Sequence, residues 1–333
     1  MPATKLRDSR VGTPTSLVEA VEELMDQLVS GNGPAATMCR EHLDTGGKRI
    51  RARLALQTVS ALGGEARRAV PWAAACELIH NASLVHDDLQ DGDRVRRGVP
   101  ALWARHGAAQ AISVGDLMLM LPTVALEHLD VDDGTRWALA RLVAVHGAAT
   151  ARGQSAELAL KGRVRVTAAD YEAAAVGKTA GLFGMPVEGG ARIAGRDAAT
   201  ARALAHPFER LGLMYQMQDD VIDLYGDKGR NEVGTDIREG KISALVAAHV
   251  ELNPEDRLWL NEILARPREQ TSPEAVREVS QRFVDSGALD AVLSRIRQLS
   301  EEMATPELRA EPVLYAVAEQ LRPRILAPLR GLL

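Results

Sequence analysis

The chain has 333 residues, 46% of them hydrophobic and 26% charged, a balance that supports a sizeable buried core and argues against extended disorder. A formal net charge of -5 gives no global attraction to nucleic acid or to an anionic membrane, so any anionic ligand must be held by local groups. Cys39 and Cys76 are too few for a disulfide framework and read as two buried thiols in a cytoplasmic protein.

Residues 1–16 form a polar lead with no apolar run of the kind found in a signal peptide. No later stretch of about 18 uncharged apolar residues predicts a transmembrane segment. Ser16 and Glu19 make a capping box, after which Leu17, Val21, Leu24 and Leu28 recur at helical spacing. Similar Ala- and Leu-rich periodicity follows almost throughout, while aromatic residues are only 3% and period-two runs are scarce. The chain therefore reads as all-α, with residues 17–333 forming one domain. Asn253-Pro254-Glu255, Ser272-Pro273-Glu274 and Thr305-Pro306-Glu307 each predict a further helix start.

Gly46-Gly47-Lys48-Arg49-Ile50-Arg51 sets cations at the start of a helix, where they oppose the helix dipole and invite an anion; a solvated basic turn is the alternative. A helical run from about Trp72 ends in His86-Asp87-Asp88-Leu89-Gln90-Asp91, and another ends in Gln218-Asp219-Asp220-Val221-Ile222-Asp223. Asp87 and Asp91 share a helix face, as do Asp219 and Asp223. Paired carboxylates suit Mg²⁺, a hard ion that joins one or two carboxylates to substrate phosphates while keeping several waters. One such cluster alone would read as a solvated acidic helix end; two with the same spacing favour the metal. Arg94, Arg96 and Arg97 follow the first cluster closely enough to meet the same polyanion. Gly177-Lys178-Thr179 looks like the end of a phosphate-binding loop, but Glu172 occupies the first glycine position and no strand precedes it.

In chain order, GGKRIR at 46–51, LIHNASLVHDDLQD at 78–91, RRG at 96–98, GD at 115–116 and GQSAEL at 153–158 precede Lys178-Thr179. YQMQDDVID at 215–223 and GTDIREGKIS at 234–243 complete the series. Together they resemble the trans-prenyl diphosphate synthase family, most closely its geranylgeranyl diphosphate synthases. The resemblance implies the isoprenoid synthase fold, a helical bundle around a deep central cavity with two acidic clusters at its mouth, usually in a homodimer. It implies a trans-prenyltransferase that joins isopentenyl diphosphate to dimethylallyl, geranyl or farnesyl diphosphate, and no nucleic-acid partner.

Carried over, Asp87, Asp88, Asp91, Asp219, Asp220 and Asp223 would hold up to three Mg²⁺ and, with Lys178 and Lys241, serve catalysis. Lys48, Arg51, His80 and Arg97 match the isopentenyl diphosphate site; His80 without that company would read as a satisfied helix histidine. Arg96, Lys178, Thr179, Gln216 and Lys241 match the allylic site. Ala82 and Ser83 lack the rings that close the family's pocket near fifteen carbons, with Ile79, Met118 or Met120 as a deeper floor, so geranylgeranyl diphosphate is the expected product.

Three departures stand out. Gly226–Val233 lacks the family's usual Gly-Lys pair, leaving Lys228 or Arg230 to supply a cation; Pro100-Ala101 replaces Pro-Thr, and Tyr215 replaces Phe. A class I terpene cyclase is a rival reading, but it needs no isopentenyl site. A non-catalytic partner subunit is another, and lost aspartates would be its signature.

Overall fold

A computed structural model describes residues 16–163, 165–226 and 233–332. Among these the architecture is helical. The first group is α1 (Leu17–Val29), α2 (Pro34–Leu43), α3 (Ile50–Ala61), α4 (Val70–Asp91), α5 (Leu102–His106), α6 (Ala108–Ala125) and α7 (Asp133–Leu160). The second is α8 (Ala168–Ala175), α9 (Gly181–Ile193), α10 (Ala198–Tyr225), α11 (Thr235–Arg238) and α12 (Ala244–Leu252). The chain closes with α13 (Arg257–Leu264), α14 (Pro273–Asp285), α15 (Ala288–Glu302), α16 (Pro306–Arg309) and α17 (Pro312–Leu326).

The local signals act largely as expected. Ser16 Oγ accepts from Glu19 N–H and the Glu19 carboxylate accepts from Ser16 N–H, closing the capping box of α1. Ser272 and Thr305 cap α14 and α16 through N–H groups three residues on. Asn253 differs: its amide donates to His249 O, Pro254–Asp256 is a single tight turn, and α13 begins only at Arg257. Lys48 and Arg49 also precede α3 rather than lying in it. Arg49, at φ 48°, is the residue before the helix, and Arg51 alone of the three cations occupies its first turn.

Two β-strands interrupt the helices. Val95–Arg96 (β1) pairs antiparallel with Val99–Pro100 (β2), Val95 facing Pro100 and Arg96 facing Val99. The turn residues Arg97 and Gly98 both have positive φ, at 53° and 80°, as a tight two-residue hairpin turn requires. With two residues per strand there was no alternating pattern to read.

The apolar interior has two parts. One gathers α1, α3, α4 and α6 around Trp72, Leu78 and Met118; the other gathers α9, α10, α12, α14 and α15 around Phe183, Phe208 and Phe283. Ala108–His128 is long and apolar enough to cross a membrane by length and composition, although it carries Asp116 and Glu127. Its buried side, including Val114 and Met118, belongs to the same core part as α4. Two long helices, α4 and α10, end in the acidic clusters. Carboxylates at a helix C-terminus oppose the dipole, so both ends call for cations.

Candidate active site

One face of α4 presents His80, Ser83, Leu84, Asp87 and Asp91 at helical spacing to a cavity of about 570 Å³. From α10 come Tyr215, Gln216, Asp219 and Asp220. The two acidic clusters thus share one cavity, but not every aspartate lines it. Asp88 is turned away and buried, accepting from Arg96 Nε at 2.8 Å and from a second nitrogen of the same guanidinium. Asp223 is buried too: its Oδ2 accepts the backbone N–H of Asp236 at 3.0 Å, and its carbonyl accepts that of Gly234. Asp236 itself reaches the cavity wall.

Two lysines compensate this acidic end. Lys178 Nζ lies 2.5 Å from Glu157, 3.9 Å from Asp87 and 4.0 Å from Asp91. Lys241 Nζ lies 3.3 Å from Asp91 and 2.9 Å from Glu239. Burial pulls both ammonium pKa values down, but the surrounding carboxylates outweigh it and raise them, so both stay charged. Burial, reinforced by Asp91 and Glu157 against the pull of Lys178, pushes Asp87 up to about 6. Asp220 is raised to about 6 by burial, although it accepts the Ala244 N–H at 2.8 Å.

Lys178 and Thr179 sit in a π-helical turn, Val176–Ala180, a wide turn of the kind often found at functional sites. Gly153 of α7 allows it. A Cβ at Gly153 would stand 2.1 Å from the Lys178 nitrogen, so only glycine lets α7 approach this turn. Thr179 donates to Gln216 Oε1 at 3.1 Å, and Gln216 Nε2 donates to Asp220 at 3.1 Å, joining the turn to α10.

The other end of the cavity is basic, lined by Lys48, Arg49, Arg51, His80 and Arg97 with Glu77 as its acid, while Arg96, paired with Asp88 and 4.0 Å from Asp93, acts on both Asp87 and His80. Glu77 is engaged by the Ala52 N–H at 3.0 Å. Arg97 donates to Thr45 Oγ1 and to the Gly46 carbonyl, which ties the β1–β2 turn to the segment before α3. Burial, with Arg51, Arg97 and Arg96 nearby, holds His80 well below the ordinary histidine range, so its ring is neutral. Concentrated positive charge with little carboxylate suits an oxyanion.

Of the residues expected to set product length, Ser83 lines the cavity, while Ala82 and Ile79 are packed in the core. Met118 is fully buried and Met120 faces outward, 65% exposed. Glu157, Asp236, Tyr171 and Phe183 also line the cavity and were not singled out from the sequence. Glu157 and Asp236 stand inside GQSAEL and GTDIREGKIS, which is the signal that could have found them. Lys228 and Arg230 lie outside the described residues.

The carboxylates fit a hard cation by chemistry. Among the described residues no three acidic, histidine or cysteine side chains converge into a ready-made metal centre.

A polyprenyl synthetase family model matches residues 34–282. The chain is 32% identical to a geranylgeranyl diphosphate synthase of Mycobacterium tuberculosis over 83% of this chain and 85% of that one. It is 33% identical to a short chain isoprenyl diphosphate synthase of Methanothermobacter thermautotrophicus, over 87% and 90%. In structure it is similar to a geranylgeranyl pyrophosphate synthetase from Pyrococcus horikoshii, with TM-score 0.82, 27% identity and coverage of 92% and 95%.

Proposed function

We propose, on the premise that this chain belongs to the polyprenyl synthetase family, that its cavity carries out head-to-tail elongation of an allylic diphosphate by isopentenyl diphosphate. The chain is a trans-prenyltransferase with the isoprenoid synthase fold, and its product is a linear prenyl diphosphate, geranylgeranyl diphosphate. One observation carries the reading to the reaction: a single cavity has an acidic end with two lysines and a basic end with three arginines, a lysine and a neutral histidine. Elongation needs two diphosphates held in different ways. A cyclase would have no use for the second group.

In this reading Lys178, Lys241 and Arg96 hold the allylic diphosphate, and Lys48, Arg51, His80 and Arg97 hold that of isopentenyl diphosphate. The allylic C–O bond breaks with its electron pair leaving on the diphosphate, and the cationic side chains stabilise the developing negative charge. Asp87, Asp91 and Asp219 would hold Mg²⁺, which when bound supplies further charge neutralisation to the diphosphate. Gln216, its amide fixed between Thr179 and Asp220, offers an oriented dipole on the cavity wall. The isopentenyl double bond then attacks the allylic carbon, a proton is lost from the new chain, and the departed diphosphate takes it. Leu182 and Tyr215 supply an apolar wall that keeps water from the cation. Asp88 and Asp223 act here by holding Arg96 and the segment that carries Asp236.

We also assign the chain to the cytoplasm, in keeping with two buried free cysteines, and to a homodimer. Ile112, Met120 and Val124 of α6 and Trp137 and Val145 of α7 are exposed apolar residues that a second copy would cover.

Incubating the purified protein with Mg²⁺, isopentenyl diphosphate and dimethylallyl, geranyl or farnesyl diphosphate separately tests the function. Linear diphosphates of increasing length are expected. Hydrocarbon released without consumption of isopentenyl diphosphate would mean a cyclase, and no turnover with any starter would support a non-catalytic subunit.

A further inference from the structure

We infer that Phe183 is a positioning residue for the isopentenyl diphosphate site, holding the Arg51 guanidinium against its ring face so that the terminal nitrogens of Arg51 stay available to the substrate. The inference rests on the assignment of Arg51 to that site.

Arg51 is 8% exposed; buried Glu77 opposes its charge from beyond ion-pair distance, no described carboxylate pairs with it directly, and its Nε has no hydrogen-bond partner. A buried arginine normally requires a counter-charge, and a carboxylate would occupy the planar fork that recognises phosphate. An aromatic face solves that conflict. It attracts the cation through the ring quadrupole and consumes no N–H donor. The guanidinium carbon of Arg51 stands 5.0 Å from the centroid of the Phe183 ring.

The ring is itself well located. Phe183 is 2% exposed in the first turn of α9, and its ring centroid is 5.7 Å from that of Tyr215. On α10, a Cβ at Gly212 would come within 2.7 Å of Ala180 Cα and 3.1 Å of Phe183 Cδ2, so the glycine lets α10 approach the backbone before α9 and the ring together. Arg51 on α3 is thus registered, through Phe183, against the helix that bears the second acidic cluster.

The test is steady-state kinetics with isopentenyl and geranyl diphosphates varied independently. Phe183→Leu keeps apolar bulk and removes the ring; Phe183→Met does the same with a more adaptable side chain, should the first variant fold poorly. KM for isopentenyl diphosphate is expected to rise about tenfold, with kcat and the geranyl KM within about twofold of the parent. Phe183→Tyr, which keeps the ring, should return the isopentenyl KM toward the parent value. In an Arg51→Lys background, Phe183→Leu should add little, because the two residues act through one contact.

If Arg51→Lys leaves the isopentenyl KM unchanged, the assignment of the site fails. If it raises that KM while Phe183→Leu does not, or if both substrates' KM values rise together and the effects of the two substitutions add, the site stands and the role of Phe183 is overturned.

Discussion

Lys241 Nζ lies 3.3 Å from Asp91 Oδ2, so a cation from the segment after α11 compensates a carboxylate at the end of α4. The contact ties the segment after α11 to α4 at the acidic end of the cavity. A metal–diphosphate ligand would compete directly for the Asp91 oxygen. Asp87→Asn and Asp91→Asn should each lower kcat/KM by about 100-fold or more and raise the Mg²⁺ concentration at half-maximal rate. Asp88→Asn can still accept from Arg96 and should shift the Mg²⁺ requirement far less. Metal titrations of the three variants decide it, and an equal shift for Asp88→Asn would refute the division of roles.

Burial raises Asp87 from 3.8 to about 6, so its ionised form destabilises the ligand-free fold. A carboxyl raised on folding stabilises below its unfolded value, and that contribution is lost as pH rises through about 6. The shift is worth on the order of 2–3 kcal/mol at neutral pH. Without ligand, Asp87→Asn should therefore melt about 2–4 °C higher than the parent at pH 7.5, and the advantage should vanish near pH 4. Thermal melts across this range provide the check.

Ser83 lines the cavity four residues before Asp87, whereas Ala82 is wholly buried. Ser83→Phe should shorten the main product from twenty toward fifteen carbons, read by chromatography after dephosphorylation. Ala82→Phe should instead cost about 1–3 kcal/mol through overpacking. An unchanged product from a folded Ser83→Phe enzyme would remove this helix face as the ruler.

Gly153→Ala would force the Lys178 turn away from α7, since its Cβ would stand 2.1 Å from the Lys178 nitrogen. Displacing a positioned cation by about 1 Å is expected to lower kcat by about 100-fold. A parent-like kcat would show that the turn tolerates the movement.

Trp137, on α7, is 73% exposed. Trp137→Glu should convert a dimer to a monomer by light scattering, while a parent that is monomeric at micromolar concentration would exclude the homodimer.

Much of this organisation was legible beforehand because it is local. The capping box at Ser16, the caps at Ser272 and Thr305, and the periodicity of α4 and α10 depend on residues within a turn or two of each other. At Asn253 a helical turn starts at Pro254 as expected but without a side-chain cap, because the amide turns back to His249; the β1–β2 hairpin was missed because two-residue strands carry no pattern.

The sequence by itself determined which chemistry was available and where helices would form: carboxylates four apart share a face because a helix turns every 3.6 residues. It could not determine how each helix is rotated against its neighbours. That rotation points Asp87 and Asp91 into the cavity and leaves Asp88 to Arg96, while chain crossings bring Lys178 and Lys241 to the same acidic end. Such pairings depend on packing between distant segments, as at Gly153, where the absence of one side chain decides how closely two helices meet.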